Sequence, residues 1–159
     1  MLYDYVIDEI GQYMTGGVVI PDIMITGMDE SDRDDIKVYG DFACYTYTAN
    51  GDTLERNSGG SYPGCIHVKS TDEGYTVTGI EHTDEGGMFD ESVDRIFGDQ
   101  AESFRKAYSD DAEKERVWTQ ILANYVAANG LDYKYVKDYG WDPIELPAEN
   151  IDSFYSSGL

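Results

Sequence analysis

The chain is 159 residues long and 41% hydrophobic, with 32 acidic against 11 basic side chains and a formal net charge of -21 at pH 7. That balance excludes nucleic acid and anionic membrane surfaces as partners, because both are held by clustered Lys and Arg whose binding releases counterions or gains surface potential. The length suits one compact domain with its own core, and the periodic apolar residues set the sequence apart from acidic disordered chains.

From the start of the chain, Leu2, Tyr3, Val6, Ile7, Ile10, Tyr13 and Met14 recur at spacings of one, three and four, which predicts an amphipathic helix stopped by Thr15-Gly16-Gly17. Val18 to Ile25 is a nearly continuous apolar run holding Pro21. Proline cannot donate to a ladder, so this run predicts an edge strand. The charged segment Asp29 to Asp35 predicts an exposed loop. Ile36 to Thr48, rich in Val, Tyr, Phe and Thr, predicts the longest strand, with Gly40 at a bulge or bend. Asn50-Gly51 is a strong hairpin signal, so Thr53 to Ser58 should return antiparallel. Gly59 to Gly64 reads as a flexible connection, after which Cys65 to Ser70 and Tyr75 to His82 form a second hairpin.

The last third reads as helical. Phe89, Val93, Ile96 and Phe97 make a short stripe closed by Gly98, and Asp99 with Glu102 opens a helix carrying Phe104 and Tyr108. Val117, Trp118, Ile121, Leu122, Tyr125 and Val126 form the cleanest stripe, ended by Gly130. At roughly 1.5 to 3 kcal/mol per buried side chain this helix is a main support of the core, with Trp118 and Ile121 expected among its least exposed residues. Leu131 to Tyr139 predicts a final strand, and residues 147–159 a polar tail.

One helix, a meander of four or five antiparallel strands, then further helices together predict a single α+β domain over residues 1–146, with the C-terminal helices packed on the sheet. This order is similar to that of cystatin-like and nuclear-transport-factor-like folds, an analogy of element order that carries no function. The strings Tyr39-Gly40-Asp41-Phe42, Gly51-Asp52-Thr53-Leu54, Ser58-Gly59-Gly60, Pro63-Gly64-Cys65-Ile66-His67, Ile96-Phe97-Gly98-Asp99 and Asp138-Tyr139-Gly140-Trp141-Asp142-Pro143 resemble a domain of secreted or lipid-anchored proteins from gut clostridia-type bacteria. The resemblance implies export and a shared fold, and it brings no catalytic residues with it. The residues after Met1 carry neither a basic start nor an apolar signal core, a pattern expected of a cytoplasmic protein or of an exported one whose leader has been removed.

Candidate chemistry is sparse. Asp29 to Asp35 has the acidity of a calcium loop but lacks its central glycine and distal glutamate, and Arg33 interrupts the ligand alternation. Two His and two Cys cannot make a zinc tetrahedron without carboxylates. No metal and no other cofactor is expected. Cys65 and His67 point the same way along a strand but about 7 Å apart, too far for a thiolate and imidazole to pair directly. No nucleophile elbow or phosphate-cradling loop is present.

The fourteen tyrosines remain. Closing the second hairpin pairs Ser70 with Tyr75 and Val68 with Val77, which puts Ile66, Val68, Tyr75 and Val77 on one face and Cys65, His67, Thr78 and Ile80 on the other. The Asn50-Gly51 turn aligns Cys44 with Asn57, and a return through the glycines aligns Asn57 with Cys65. These registers bring Tyr45, Tyr47 and Tyr75 onto the face of Ile66, as a ligand-binding surface with Trp141 as a lid, and they hold the two thiols too far apart for a disulfide. The resulting expectation is a non-catalytic binding or interaction domain outside the cytoplasm, with a protein, glycan or small ligand as its partner. Its rivals are a small pocket enzyme using a carboxylate general base and a tyrosine, and an acidic inhibitor of a basic-surfaced enzyme.

Overall fold

The spine of the fold is β2, Ile36–Asn50, whose first twelve residues are covered on both faces and are therefore apolar at most positions. A computed structural model describes residues 1–150 and 152. One edge of β2 carries β1, Val18–Asp29. The other edge carries β3, Thr53–Gly60, beside its C-terminal half and β4, Pro63–Thr71, beside its N-terminal half. Outside β4 lies β5, Gly74–His82; outside β3 lies β6, Tyr135–Lys137, which pairs parallel and is itself followed by β7, Ile144–Glu145.

Helices cover both sides of this sheet. On one side α1, Leu2–Glu9, places Leu2 and Val6, with Ile10 just beyond it, over Ile36, Val38, Phe42, Cys44, Ile66 and Val68. The other side is covered by α2, Phe89–Phe97, α3, Ala101–Tyr108, and α4, Asp111–Ala128. From α4, Val117, Trp118, Ile121, Leu122 and Val126 pack on Ile20, Met24, Tyr47, Leu54 and Val136. From α2 and α3, Val93, Phe97 and Phe104 pack on Tyr39 and Cys65. The expected α+β architecture is therefore present, with an N-terminal helix, a mostly antiparallel sheet and C-terminal helices on it. Trp118 and Ile121 are 4% and 6% exposed. No described helix is long and apolar enough to cross a membrane. Of the expected tail, residues 151 and 153–159 lie outside the described residues.

Register departs from expectation at four places, and all but the first move side chains between faces. Asn50 pairs with Thr53 across the loop residues Gly51 and Asp52, one position later than expected. A bulge then inserts Asn57 between Arg56, opposite Tyr47, and Ser58, opposite Thr46, so Cys44 meets Gly60 rather than Asn57. The Gly59-Gly60 pair is thus strand rather than connection. A Cβ at Gly59 would stand 2.2 Å from the Cys44 carbonyl oxygen, and its φ of +153° disfavours any other residue.

The largest departure is that β3 and β4 run end to end along β2, broken only at Ser61 and Tyr62, where the Phe42 N–H donates to the Tyr62 carbonyl at 3.3 Å. Ile66 therefore pairs with Val38 on the α1 side, whereas Tyr45 belongs to the opposite face with Tyr39 and Tyr47. The expected single surface of Tyr45, Tyr47, Tyr75 and Ile66 does not form. Tyr75 pairs with Ser70 as expected and so stays on the Ile66 side. A bulge between His67 and Val68 also sets Ile80 opposite Ile66, away from Cys65. Both cysteines are free, but the reason is that Cys44 lies on the α1 side of the sheet and Cys65 on the other.

Candidate functional site

Directly opposed strand residues point to the same face, so the pairs Ile20 with Tyr45, Asp22 with Ala43 and Met24 with Asp41 all face α4. Arg56, opposite Tyr47, joins them. On α4, Asp111, Lys114, Glu115 and Trp118 recur at helical spacing and form the facing wall. Between the two walls is a cleft of about 510 Å³, within the range of small-ligand sites.

Arg56 organises one end of the cleft. Its guanidinium lies between two aromatic faces, 4.5 Å from the Tyr45 centroid and 4.6 Å from that of Trp118, and it donates to Asp138 in a charge-assisted pair. The pair holds the Asp138 carboxyl below the usual carboxylate range, helped by the Tyr139 N–H. Asp138 begins a turn closed by the Trp141 N–H donating to its carbonyl at 3.1 Å, with Gly140 at a φ of 75° that favours glycine. The turn sets Trp141 edge-on to Trp118, with centroids 6.5 Å apart and an interplanar angle of 86°. Trp141 is 49% exposed and roofs the cleft.

Two carboxyls occupy the sheet wall. Asp41 is buried and accepts from Ser61 Oγ at 2.7 Å and the Tyr62 N–H at 2.9 Å; desolvation nevertheless raises it to about 6, with those bonds and Lys114 opposing the rise. Asp22 has no hydrogen bond or ion pair to any described residue. Burial first, then the neighbouring Asp41 charge, raise it to about 7 against the pull of Arg56. A charge on Asp41 thus helps hold the proton on Asp22. On the helix wall, Lys114 is paired with Asp111 at 2.9 Å, while Glu115 is exposed.

Of the residues singled out from sequence, Tyr45 and Trp141 line this cleft. Tyr47 is buried behind it, its hydroxyl accepting from Trp118 Nε1 at 2.7 Å. Tyr75 is 58% exposed on the other face of the sheet and belongs to no common surface with them. Asp22, Asp41, Arg56 and Trp118 were not anticipated as cleft residues. A signal for the acids existed: Asp22 interrupts the apolar run Val18 to Ile25, and Asp41 the apolar face of the longest strand, and an acid at such a position is desolvated by its neighbours.

A second hollow, of about 530 Å³, lies beside α1 between Tyr13, Tyr62 and His82. Burial depresses His82, and no pair of acids converges there. Among the described residues, no group of three or more His, Cys, Asp or Glu side chains is placed to hold a metal ion. No protein-family model matches the chain, and no curated protein or solved structure matches it either.

Proposed function

We propose that the protein is a non-catalytic binding domain that takes one small ligand into the cleft between the sheet and the N-terminal half of α4. The observation that supports this reading is the convergence of two desolvated carboxyls, an aromatic wall and a half-exposed tryptophan roof on one cavity of ligand size. An exported or lipid-anchored setting, which the resemblance implies, suits a domain that captures small molecules. A second reading is favoured by the carboxyls themselves, since acids raised toward neutrality beside Tyr45 have the protonation behaviour of a general acid–base pair.

The two tryptophans of the chain both line the cleft, so emission excited selectively from tryptophan reports on it. Titration with amines, carboxylic acids and neutral sugars should give a saturable emission change with one class, and Trp141→Leu should abolish that response. No response to any class would refute the binding reading. Recovery of the responding compound in chemically altered form would establish the enzyme reading in its place.

A further inference from the structure

We infer that the ligand is a small organic cation, an ammonium or guanidinium on an apolar body, whose charge is received by Asp22 and Asp41 while its body lies against Trp118 and Trp141. The inference rests on the binding reading and adds the ligand's chemistry. Its first support is Asp22, a half-buried carboxyl lining the cleft between the sheet and α4, with neither a donor nor a counter-ion bonded to it among the described residues. A half-buried carboxylate lacking a partner is costly, and a cationic donor entering the cleft supplies both missing interactions.

The second support is the charge count of the lining. Both cations there are committed, Arg56 to Asp138 and Lys114 to Asp111, which leaves Asp22, Asp41 and Glu115 unmatched by any basic side chain in direct contact. With a chain charge of -21 behind it, the cleft attracts cations and repels anions. The third support is geometric. Arg56 shows that this wall accommodates a guanidinium between aromatic faces, and half-exposed Trp141 offers further ring surface at the mouth.

The test uses three compounds with one body and three charges: phenethylammonium, phenylethyl alcohol and phenylacetate. Each is titrated into the full chain at low salt and about pH 8, where ionised acids bind a cation best, with tryptophan emission as the readout. The ammonium should bind about tenfold more tightly than the alcohol or the anion, and Asp22→Asn should weaken it by about the same factor. Thermal unfolding checks that Asp22→Asn is folded. Glu115→Gln, on the exposed surface of α4, should weaken the ammonium about twofold or more and supplies the test if Asp22→Asn is not folded. Equal or tighter binding of the alcohol or phenylacetate overturns the inference, as does undiminished ammonium binding by folded Asp22→Asn or by Glu115→Gln. If one of those two compounds binds and Trp141→Leu abolishes its signal, the cleft remains the binding site and only the cation is lost. If none of the three moves the emission, the cation inference falls, and the binding reading falls with it when the neutral sugars are silent as well.

Discussion

Trp118 Nε1 donates a 2.7 Å hydrogen bond to the Tyr47 hydroxyl, tying the middle of α4 to the spine strand directly behind the cleft. Both side chains are buried, so no solvent replaces either partner. Tyr47→Phe leaves an indole N–H unsatisfied and should cost about 1–3 kcal/mol, read as a lower urea midpoint at unchanged slope. An unchanged midpoint would mean that the bond contributes nothing to stability.

Asp22 and Asp41 make the fold more stable in mild acid than at neutrality. Their folded-state values of about 7 and about 6 exceed the ordinary 3.8, so between those limits the folded chain holds more protons than the unfolded one, and stability falls as pH rises. Asp22 faces Asp41, Tyr45 and Tyr47 of β2, Arg56 of β3, and Asp111, Lys114 and Glu115 of α4. Asp22→Asn should match the wild type near about pH 4 and exceed it by ~2 kcal/mol near about pH 8. Denaturation curves that keep the same difference at both pH values would show that Asp22 does not titrate in this way.

The Arg56–Asp138 pair latches the roof. Arg56→Lys retains the charge but loses the planar fork and the stacking on Tyr45 and Trp118, so it should destabilise the fold by about 1–3 kcal/mol. Asp138→Asn should act through the same contact. A double-mutant cycle should therefore show strong non-additivity, together with greater quenching of Trp141 by acrylamide. Additive effects with unchanged quenching would remove the latch.

Neither thiol should react in the native protein. Burial pushes Cys44 up to about 11 and Cys65 up to about 12, and both are fully covered. Alkylation by iodoacetamide should follow unfolding, with both sites labelled together in denaturant. Rapid labelling of either cysteine under native conditions would contradict this placement.

The elements were legible because their signals are local. The stripe from Val117 to Val126 makes α4, and the turn at Thr71 to Gly74 closes β4 on β5 with Ser70 opposite Tyr75. The assignment of faces was not legible, since it depends on single-residue insertions and on a continuation that resembles a loop. The Asn57 bulge shifts Arg56 relative to Ser58, and Gly59 and Gly60, which have the composition of a linker, lie so close to β2 that only glycine fits at Gly59. One such step turns every following side chain over, which is why Tyr45 and Ile66 separated. Trp141 reached the cleft even so, because its position depends on the Arg56 latch and not on those registers.

The parallel pairing of β6 with β3 has a consequence for the order of assembly. Antiparallel neighbours in this sheet are close along the chain, whereas Arg56 and Asp138 stand 82 positions apart and meet where β3 and β6 adjoin. Closing so long a loop comes late in folding, after the nearer hairpins have formed a surface to receive it. The roof of the cleft is then the last part built and, held by the three-residue β6 and one ion pair, the first to detach. Amide exchange at Val136 and Trp141 should outrun that at Phe42, and equal rates would show that the roof moves only with the whole domain. On the proposed binding reading, a guest molecule would enter by a local opening of the segment that carries Trp141, while the spine strand stays folded.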